Sequence, residues 1–177
     1  VEEYNGSTWA AGGALIVGRH QSGGAGLQNS AVAIGGNSPN VSCTEEYNGT
    51  SWSVGGALIA GRNTLAAAGT QTAALAFGGA NVPGQPPKNE TEVWNGVNWT
   101  EVNNLTTPKR MMAAGGTSTS AIAAGGGPPN TATAETWNGT NWTEVNNINT
   151  ARASLVGVAA NNTAALAFGG SLPPGSL

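Results

Sequence analysis

The sequence has 177 residues, of which 8% are charged, and its formal net charge is −3. Phosphate binding needs clustered lysine and arginine, but the six basic residues are scattered apart from the pair Lys109-Arg110, so we expect no nucleic-acid partner. No apolar run reaches the roughly 18 residues of a membrane helix, which argues against membrane insertion, and the length suits one domain spanning 1–177.

Two dipeptides recur along the chain at a nearly constant interval. The Asn-Gly pairs are 43, 47 and 43 residues apart, at Asn5-Gly6, Asn48-Gly49, Asn95-Gly96 and Asn138-Gly139. The Gly-Gly pairs keep nearly the same step, at Gly35-Gly36, Gly78-Gly79, Gly125-Gly126 and Gly169-Gly170. A fixed period is the signature of a repeat architecture, so we predict four repeats, at approximately 1–43, 44–90, 91–133 and 134–177. The longer second interval is absorbed by residues 81–88, whose proline and glycine content predicts a surface loop.

Each repeat begins with a predicted hairpin, because Asn-Gly is the strongest short hairpin signal. A two-residue loop would place the aromatic residues on either side of it diagonally, and a four-residue loop would pair them directly. Both registers put the two rings on one face. These aromatic pairs are Tyr4/Trp9, Tyr47/Trp52, Trp94/Trp99 and Trp137/Trp142. Large aromatic side chains dominate core burial, so we expect them to pack between neighbouring sheets rather than to stack on a ligand.

The second half of each repeat is small and apolar. In the second repeat, residues 65–77 predict two short strands around a turn at 69–72, and in the fourth repeat 153–158 and 164–168 flank a turn at 161–163. The short length and the closing Gly-Gly pair favour strands over helix. An arginine precedes this half of each repeat, at Arg19, Arg62, Arg110 and Arg152.

This order of arginine, Gly-Gly and aromatic pair resembles the kelch repeat over essentially the whole chain. The resemblance implies an all-β fold in which four-stranded antiparallel blades surround an axis as a β-propeller. In kelch proteins the arginine position precedes the innermost strand and can line the pore mouth, so the resemblance implies an interaction ring of Arg19, Arg62, Arg110 and Arg152. The Asn-Gly linker is shorter than in typical kelch repeats, and aspartate is absent. The chain is therefore most similar to degenerate kelch-like repeats of tail-fibre and other structural proteins of aquatic bacteriophages, often described as galactose oxidase central domain-like.

The two ends of the chain predict how the propeller closes. The sequence begins inside an aromatic hairpin and ends after an Ala/Gly hairpin, so the two halves could share one blade and close a ring of four. Such closure removes exposed sheet edges, which invite aggregation. The alternative is an arc of a larger propeller, with further repeats beyond these ends or supplied by another chain.

The sequence offers little for catalysis, and we predict no catalytic, metal or cofactor-binding residues. His20 is the only histidine and Cys43 the only cysteine, and no cluster has the spacing of metal ligands. A glutamate does recur two residues before each first aromatic, at Glu2, Glu45, Glu92 and Glu135. With so few charges, a repeated glutamate and a repeated arginine favour structural ion pairs or hydrogen bonds to backbone.

These observations predict a non-enzymatic structural or adhesion module of a virion (tail fibre or decoration) or cell surface. Its partners would be a protein or glycan receptor or neighbouring subunits, and a homo-oligomer is a further expectation. One alternative is a cytoplasmic kelch-type adaptor that binds proteins, and a remote one is a carbohydrate-active, oxidase-like enzyme.

Overall fold

A computed structural model describes residues 1–37, 42–81 and 85–173, and these residues form an all-β structure. No described residue is helical, so the described segments include no helix that could cross a membrane. Of the predicted surface loop 81–88, residues 82–84 lie outside the described part of the chain. The strands are β1 (Glu2–Tyr4), β2 (Trp9–Ala11), β3 (Gly23–Leu27), β4 (Ser30–Ile34), β5 (Thr44–Tyr47), β6 (Trp52–Val54), β7 (Ala66–Gly69), β8 (Ala74–Phe77), β9 (Thr91–Trp94), β10 (Trp99–Val102), β11 (Ala113–Thr117), β12 (Ser120–Ala124), β13 (Ala134–Trp137), β14 (Trp142–Val145), β15 (Ala153–Asn161) and β16 (Ala164–Ser171).

Twelve of these strands form three complete antiparallel sheets of four strands each. We call β3–β6 the first sheet, β7–β10 the second sheet and β11–β14 the third sheet. Strand order within each sheet follows chain order, and the initial strands lie side by side, β3 beside β7 and β7 beside β11, with β15 beside β11. This propeller-like arrangement agrees with the predicted all-β, four-stranded architecture.

The Asn-Gly loops hold four residues, which decides between the two predicted registers. Tyr47 pairs directly with Trp52 across the hairpin, and their ring centroids are 4.9 Å apart. The Asn48 side chain explains this choice, because its Oδ1 accepts hydrogen bonds from the backbone N–H groups of Thr50 and Ser51, each at 3.0 Å. An asparagine that bonds to its own loop in this way favours a turn over continued strand pairing.

The Ala/Gly hairpins need glycine at or next to the end of the first strand of each sheet. Gly69 has φ +114°, and a Cβ at this position would lie 2.3 Å from the carbonyl oxygen of Ala73. No other residue fits there, because the left-handed backbone and the close approach both exclude a side chain. The same contact recurs in the other two complete sheets, so glycine sets the tight turn between the first and second strands of each sheet.

The core lies between neighbouring sheets rather than within any one sheet. Leu75 and Phe77 of the second sheet pack against Trp137 and Trp142 of the third, and the centroids of Phe77 and Trp142 are 4.8 Å apart. We call the interface between two neighbouring sheets a joint. Backbone hydrogen bonds cross these joints, from the amide of a Gly-Gly pair to a carbonyl in the segment that precedes the next sheet. These bonds, each 2.8 Å long, are Gly36 N to Arg62 O, Gly79 N to Lys109 O and Gly126 N to Arg152 O.

Both ends of the row are two-stranded. The N-terminal hairpin (β1–β2) and the C-terminal hairpin (β15–β16) are separate sheets, so the described residues do not show the shared fourth blade that the sequence suggests. Their apolar side chains are correspondingly uncovered. Trp9 is 67% exposed and Phe168 is 45% exposed, whereas the equivalent Trp99 and Phe77 are 6% and 0% exposed.

Candidate functional site

The repeated charged residues meet inside the complete sheets. In each sheet a glutamate on the third strand pairs with a cation from the loop that precedes the first strand. The three ion pairs are Arg19–Glu45, Arg62–Glu92 and Lys109–Glu135. Their side chains are almost completely shielded from solvent, so each pair joins the loop to the sheet in a low-dielectric environment.

In the first sheet, the Glu45 carboxylate is saturated by nearby donors. It accepts hydrogen bonds from the backbone N–H groups of Ile16 at 2.7 Å and Val17 at 3.1 Å, and Arg19 completes the site with an ion pair. A buried carboxylate needs such partners to offset its loss of hydration. Arg19 also donates to Cys43 Sγ at 3.0 Å, which places the lone cysteine beside this structural pair.

The second sheet repeats the same geometry. Arg62 Nη2 lies 2.7 Å from Glu92 Oε1, and the Ile59 backbone N–H donates to Glu92 Oε2 at 2.8 Å. Burial lowers the pKa of Arg62 and raises the pKa of Glu92, because both charged forms lose water. The pair therefore joins the loop to the sheet, with both side chains shielded from solvent.

In the third sheet the cation is Lys109 rather than Arg110. Lys109 Nζ lies 2.5 Å from Glu135 Oε1, and Glu135 also accepts from the backbone N–H groups of Thr106 at 2.7 Å and Thr107 at 3.2 Å. Arg110, which the sequence placed in the interaction ring, instead donates from Nε to the Gly127 carbonyl at 3.3 Å. The sequence does contain the signal for Lys109, since the cation follows the glutamate of its own repeat by 17 residues in every repeat.

The fourth cation, Arg152, stands before the C-terminal hairpin. Its Nη1 donates to the Gly169 carbonyl at 2.9 Å. Its Nε is shielded from solvent and has no hydrogen-bond partner. Within the described part of the chain, no glutamate pairs with it.

The four repeats also share a cavity of about 320 Å³ beside the starts of β3, β7, β11 and β15. Its lining consists of Gln21, Thr64, Met111, Ser154 and the residue that follows each. Each of these four residues has a positive φ, between 51° and 57°, and Thr64 N donates to Gln21 O at 2.8 Å. The arginines predicted to form an interaction ring do not line this cavity, and the burial of Arg19 and Arg62 favours their structural interpretation.

The side chains that could serve catalysis or metal binding are not clustered among the described residues. His20 is exposed and forms an isolated bridge with Asn37. Among the residues that the structure describes, no three histidine, cysteine, aspartate or glutamate side chains are grouped as metal ligands. No protein-family model matches the chain and no curated protein sequence matches it, so the assignment of function rests on the geometry above.

Proposed function

We propose that the protein is a non-enzymatic structural or adhesion module of a virion or cell surface. Its sheets act as kelch-like propeller blades, and the loops at the hairpin ends contact a glycan, a protein receptor or a neighbouring subunit. The observation that carries this proposal is the burial of the repeated ion pairs inside the sheets. In the three complete sheets the recurring charges stabilise the scaffold, and few other charged residues remain for the surface.

The surface left for recognition consists mainly of uncharged polar loops. The four-residue loop after β13 is exposed from Asn138 to Asn141, and its asparagine is fixed by bonds to the backbone of Thr140 and Asn141. Loops on a rigid scaffold are the usual carriers of binding function. Amide and hydroxyl groups held in this way suit hydrogen bonding to sugar hydroxyls or to another polar protein surface.

The unpaired ends favour one of the two predicted forms of the propeller. A closed ring of four would join the C-terminal and N-terminal hairpins in one sheet, and the two hairpins stand as separate sheets instead. We therefore favour the alternative, in which the four repeats form an arc of a larger propeller that further repeats or another chain complete.

A glycan array and a cell-binding assay on the purified chain test the adhesion function. A loop variant carries an arginine at each loop tip, through Ser7→Arg, Thr50→Arg, Val97→Arg and Thr140→Arg. A matched control carries the same added charge on the outer strands, through Ala10→Arg, Ser53→Arg, Thr100→Arg and Thr143→Arg. All eight positions are exposed.

We expect the wild type and the strand control to bind and the loop variant to lose binding. Binding that survives the loop substitutions would contradict recognition through the loops. A chain that binds neither glycan nor cells but captures specific peptides would instead favour the adaptor alternative.

A further inference from the structure

A groove of about 340 Å³ lies between the third sheet and the C-terminal hairpin. Its apolar lining matches that of the joint between the first and second sheets, which is filled by aromatic side chains. The groove is lined by Ile122, Ala124, Ile148, Ala165 and Ala167. The equivalent residues between the first and second sheets are Val32, Ile34, Leu58, Ala74 and Ala76. In that joint they pack against the aromatic pair Trp94 and Trp99. The groove therefore has the apolar lining that would bind an aromatic pair.

The same groove contains the donors of a glutamate site. Arg152, Asn149 and Thr150 line it, and they stand at the repeat positions of Lys109, Thr106 and Thr107. Those three residues bind the Glu135 carboxylate in the third sheet. Arg19, Arg62 and Lys109 each pair with a buried glutamate, whereas Arg152 pairs with none within the described part of the chain, so Arg152 is a cation placed to receive a carboxylate.

The N-terminal hairpin carries the side chains that such a groove would accept. Glu2 on β1 stands at the repeat position of Glu135 and is exposed. Tyr4 and Trp9 stack at 5.2 Å in the place of Trp94 and Trp99. They are 45% and 67% exposed, a large aromatic surface to leave in water.

We propose that the groove binds the N-terminal hairpin of a second copy of this chain. Strand β1 of the second copy pairs antiparallel with β16, and its Glu2 carboxylate accepts hydrogen bonds from Arg152 and from the backbone N–H groups of Asn149 and Thr150. The paired strands β8 and β9 give the register, because Ala76 pairs with Glu92 and Leu75 with Val93. By repeat equivalence Glu2 pairs with Ala167, and Glu3 with Leu166.

A second copy fits better than the hairpin of the same chain. The chain's own N-terminal hairpin leaves the groove unfilled, because β1–β2 and β15–β16 are separate sheets and Tyr4 and Trp9 are 45% and 67% exposed. This hairpin instead contacts its first sheet, where the Tyr47 hydroxyl donates to Glu3 and Trp52 Nε1 donates to the Gly13 carbonyl at 3.0 Å. Two copies arranged head to tail fill both grooves and close a ring of eight blades. Propellers typically have about four to eight blades, and three copies would exceed that range, so the closed dimer is the expected assembly.

Light scattering coupled to size-exclusion chromatography tests the assembly. We expect the wild type to have twice its chain mass of 17.5 kDa. Glu2→Arg and Arg152→Glu each place like charges in both grooves, so each should weaken the dimer by at least about 30-fold. An equimolar mixture of the two variants should restore it, because one groove then contains both substitutions, with the two opposite charges exchanged, and the second groove contains neither.

Glu101→Arg is the matched control, because it reverses an exposed charge away from the groove, and it should remain dimeric. Circular dichroism establishes that each variant is folded. A wild type of 17.5 kDa at all concentrations, an open ladder of higher oligomers, or a mixture that stays monomeric would overturn the proposal.

Cysteine cross-linking in a Cys43→Ser background tests the register and the source of the hairpin. Glu3→Cys with Leu166→Cys should oxidise to a covalent dimer, because directly opposed residues have Cβ atoms about 5 Å apart. Glu3→Cys with Ala164→Cys, two residues out of register, should cross-link much more slowly. A disulfide that forms within one chain would show that its own hairpin fills the groove and would overturn the proposal, as would the absence of any cross-link.

Discussion

The complete sheets and the terminal hairpins contain the same repeat in two environments. Trp94 and Trp99 are 1% and 6% exposed, whereas Tyr4 and Trp9, at the same repeat positions, are 45% and 67% exposed. The ring contacts within each hairpin are nearly identical, at 5.3 Å and 5.2 Å between centroids. Neighbouring sheets, rather than the hairpin itself, therefore bury the aromatic pair, as expected of repeat proteins stabilised by nearest-neighbour interfaces.

The largest difference between the two environments is expected for tryptophan removal. Trp142→Ala deletes a buried ring that contacts Phe77 and whose Nε1 donates to Thr91 Oγ1 at 3.0 Å, so it should lower the free energy of unfolding by about 3–5 kcal/mol. Trp9→Ala should lower it by less than about 1 kcal/mol. Urea denaturation at a concentration where the chain is monomeric measures both. Equal losses would contradict burial by neighbouring sheets.

A smaller but still large effect is expected for the buried carboxylates. Glu92→Gln leaves Arg62 buried without its counter-charge and should destabilise the fold by about 3 kcal/mol. Glu2→Gln is the matched control at the same repeat position, and it should change the stability of the monomer by less than about 0.5 kcal/mol because Glu2 is exposed. Chemical denaturation measures the free energy of unfolding of both variants. A Glu92→Gln protein as stable as the wild type would contradict the structural role of the pair.

The adjacent cations Lys109 and Arg110 sharpen the comparison further. Lys109→Ala leaves the buried Glu135 with backbone donors alone and should cost about 2 kcal/mol. Arg110→Ala removes one long hydrogen bond to a carbonyl and should cost about 1 kcal/mol. Thermal unfolding of both variants ranks the two losses of stability. A larger loss for Arg110→Ala would indicate that Arg110, as the sequence suggested, is the structurally important cation.

The smallest effect concerns the contact between the N-terminal hairpin and the first sheet. The Glu3 carboxylate accepts a hydrogen bond from the Tyr47 hydroxyl and raises the pKa of Tyr47 above 10.0. Since the folded pKa is the higher one, this stabilisation is fully present below pH 10 and is lost as the pH rises through the folded pKa.

Ultraviolet titration of the tyrosines in a Tyr4→Phe background measures this pKa. Glu3→Gln should lower it toward its ordinary value, and Glu2→Gln should leave it unchanged. A Tyr47 that titrates normally while the chain is folded would contradict the contact.

The sequence predicted the repeat and its hairpins because Asn-Gly and Gly-Gly mark turns through local backbone chemistry. It left the hairpin register open, since the choice depends on how the Asn48 side chain bonds to Thr50 and Ser51. It assigned Arg110 to the repeat position that Lys109 occupies, because an alignment on arginine alone ignores the constant spacing from the glutamate. The separation of the terminal hairpins depends on contacts between distant repeats, which no local pattern encodes.

The joints between sheets have a consequence for how such a chain can change in length. The three joints that link the first, second and third sheets and the C-terminal hairpin use the same bond, as between Gly79 N and Lys109 O, and in the described part of the chain the main contacts between sheets are those of chain neighbours. Duplicating or deleting one whole repeat therefore restores every joint and leaves both end surfaces unchanged. A gene that encodes such a chain can gain or lose one repeat without requiring a new kind of contact between sheets. Related chains should therefore differ in length by whole repeats.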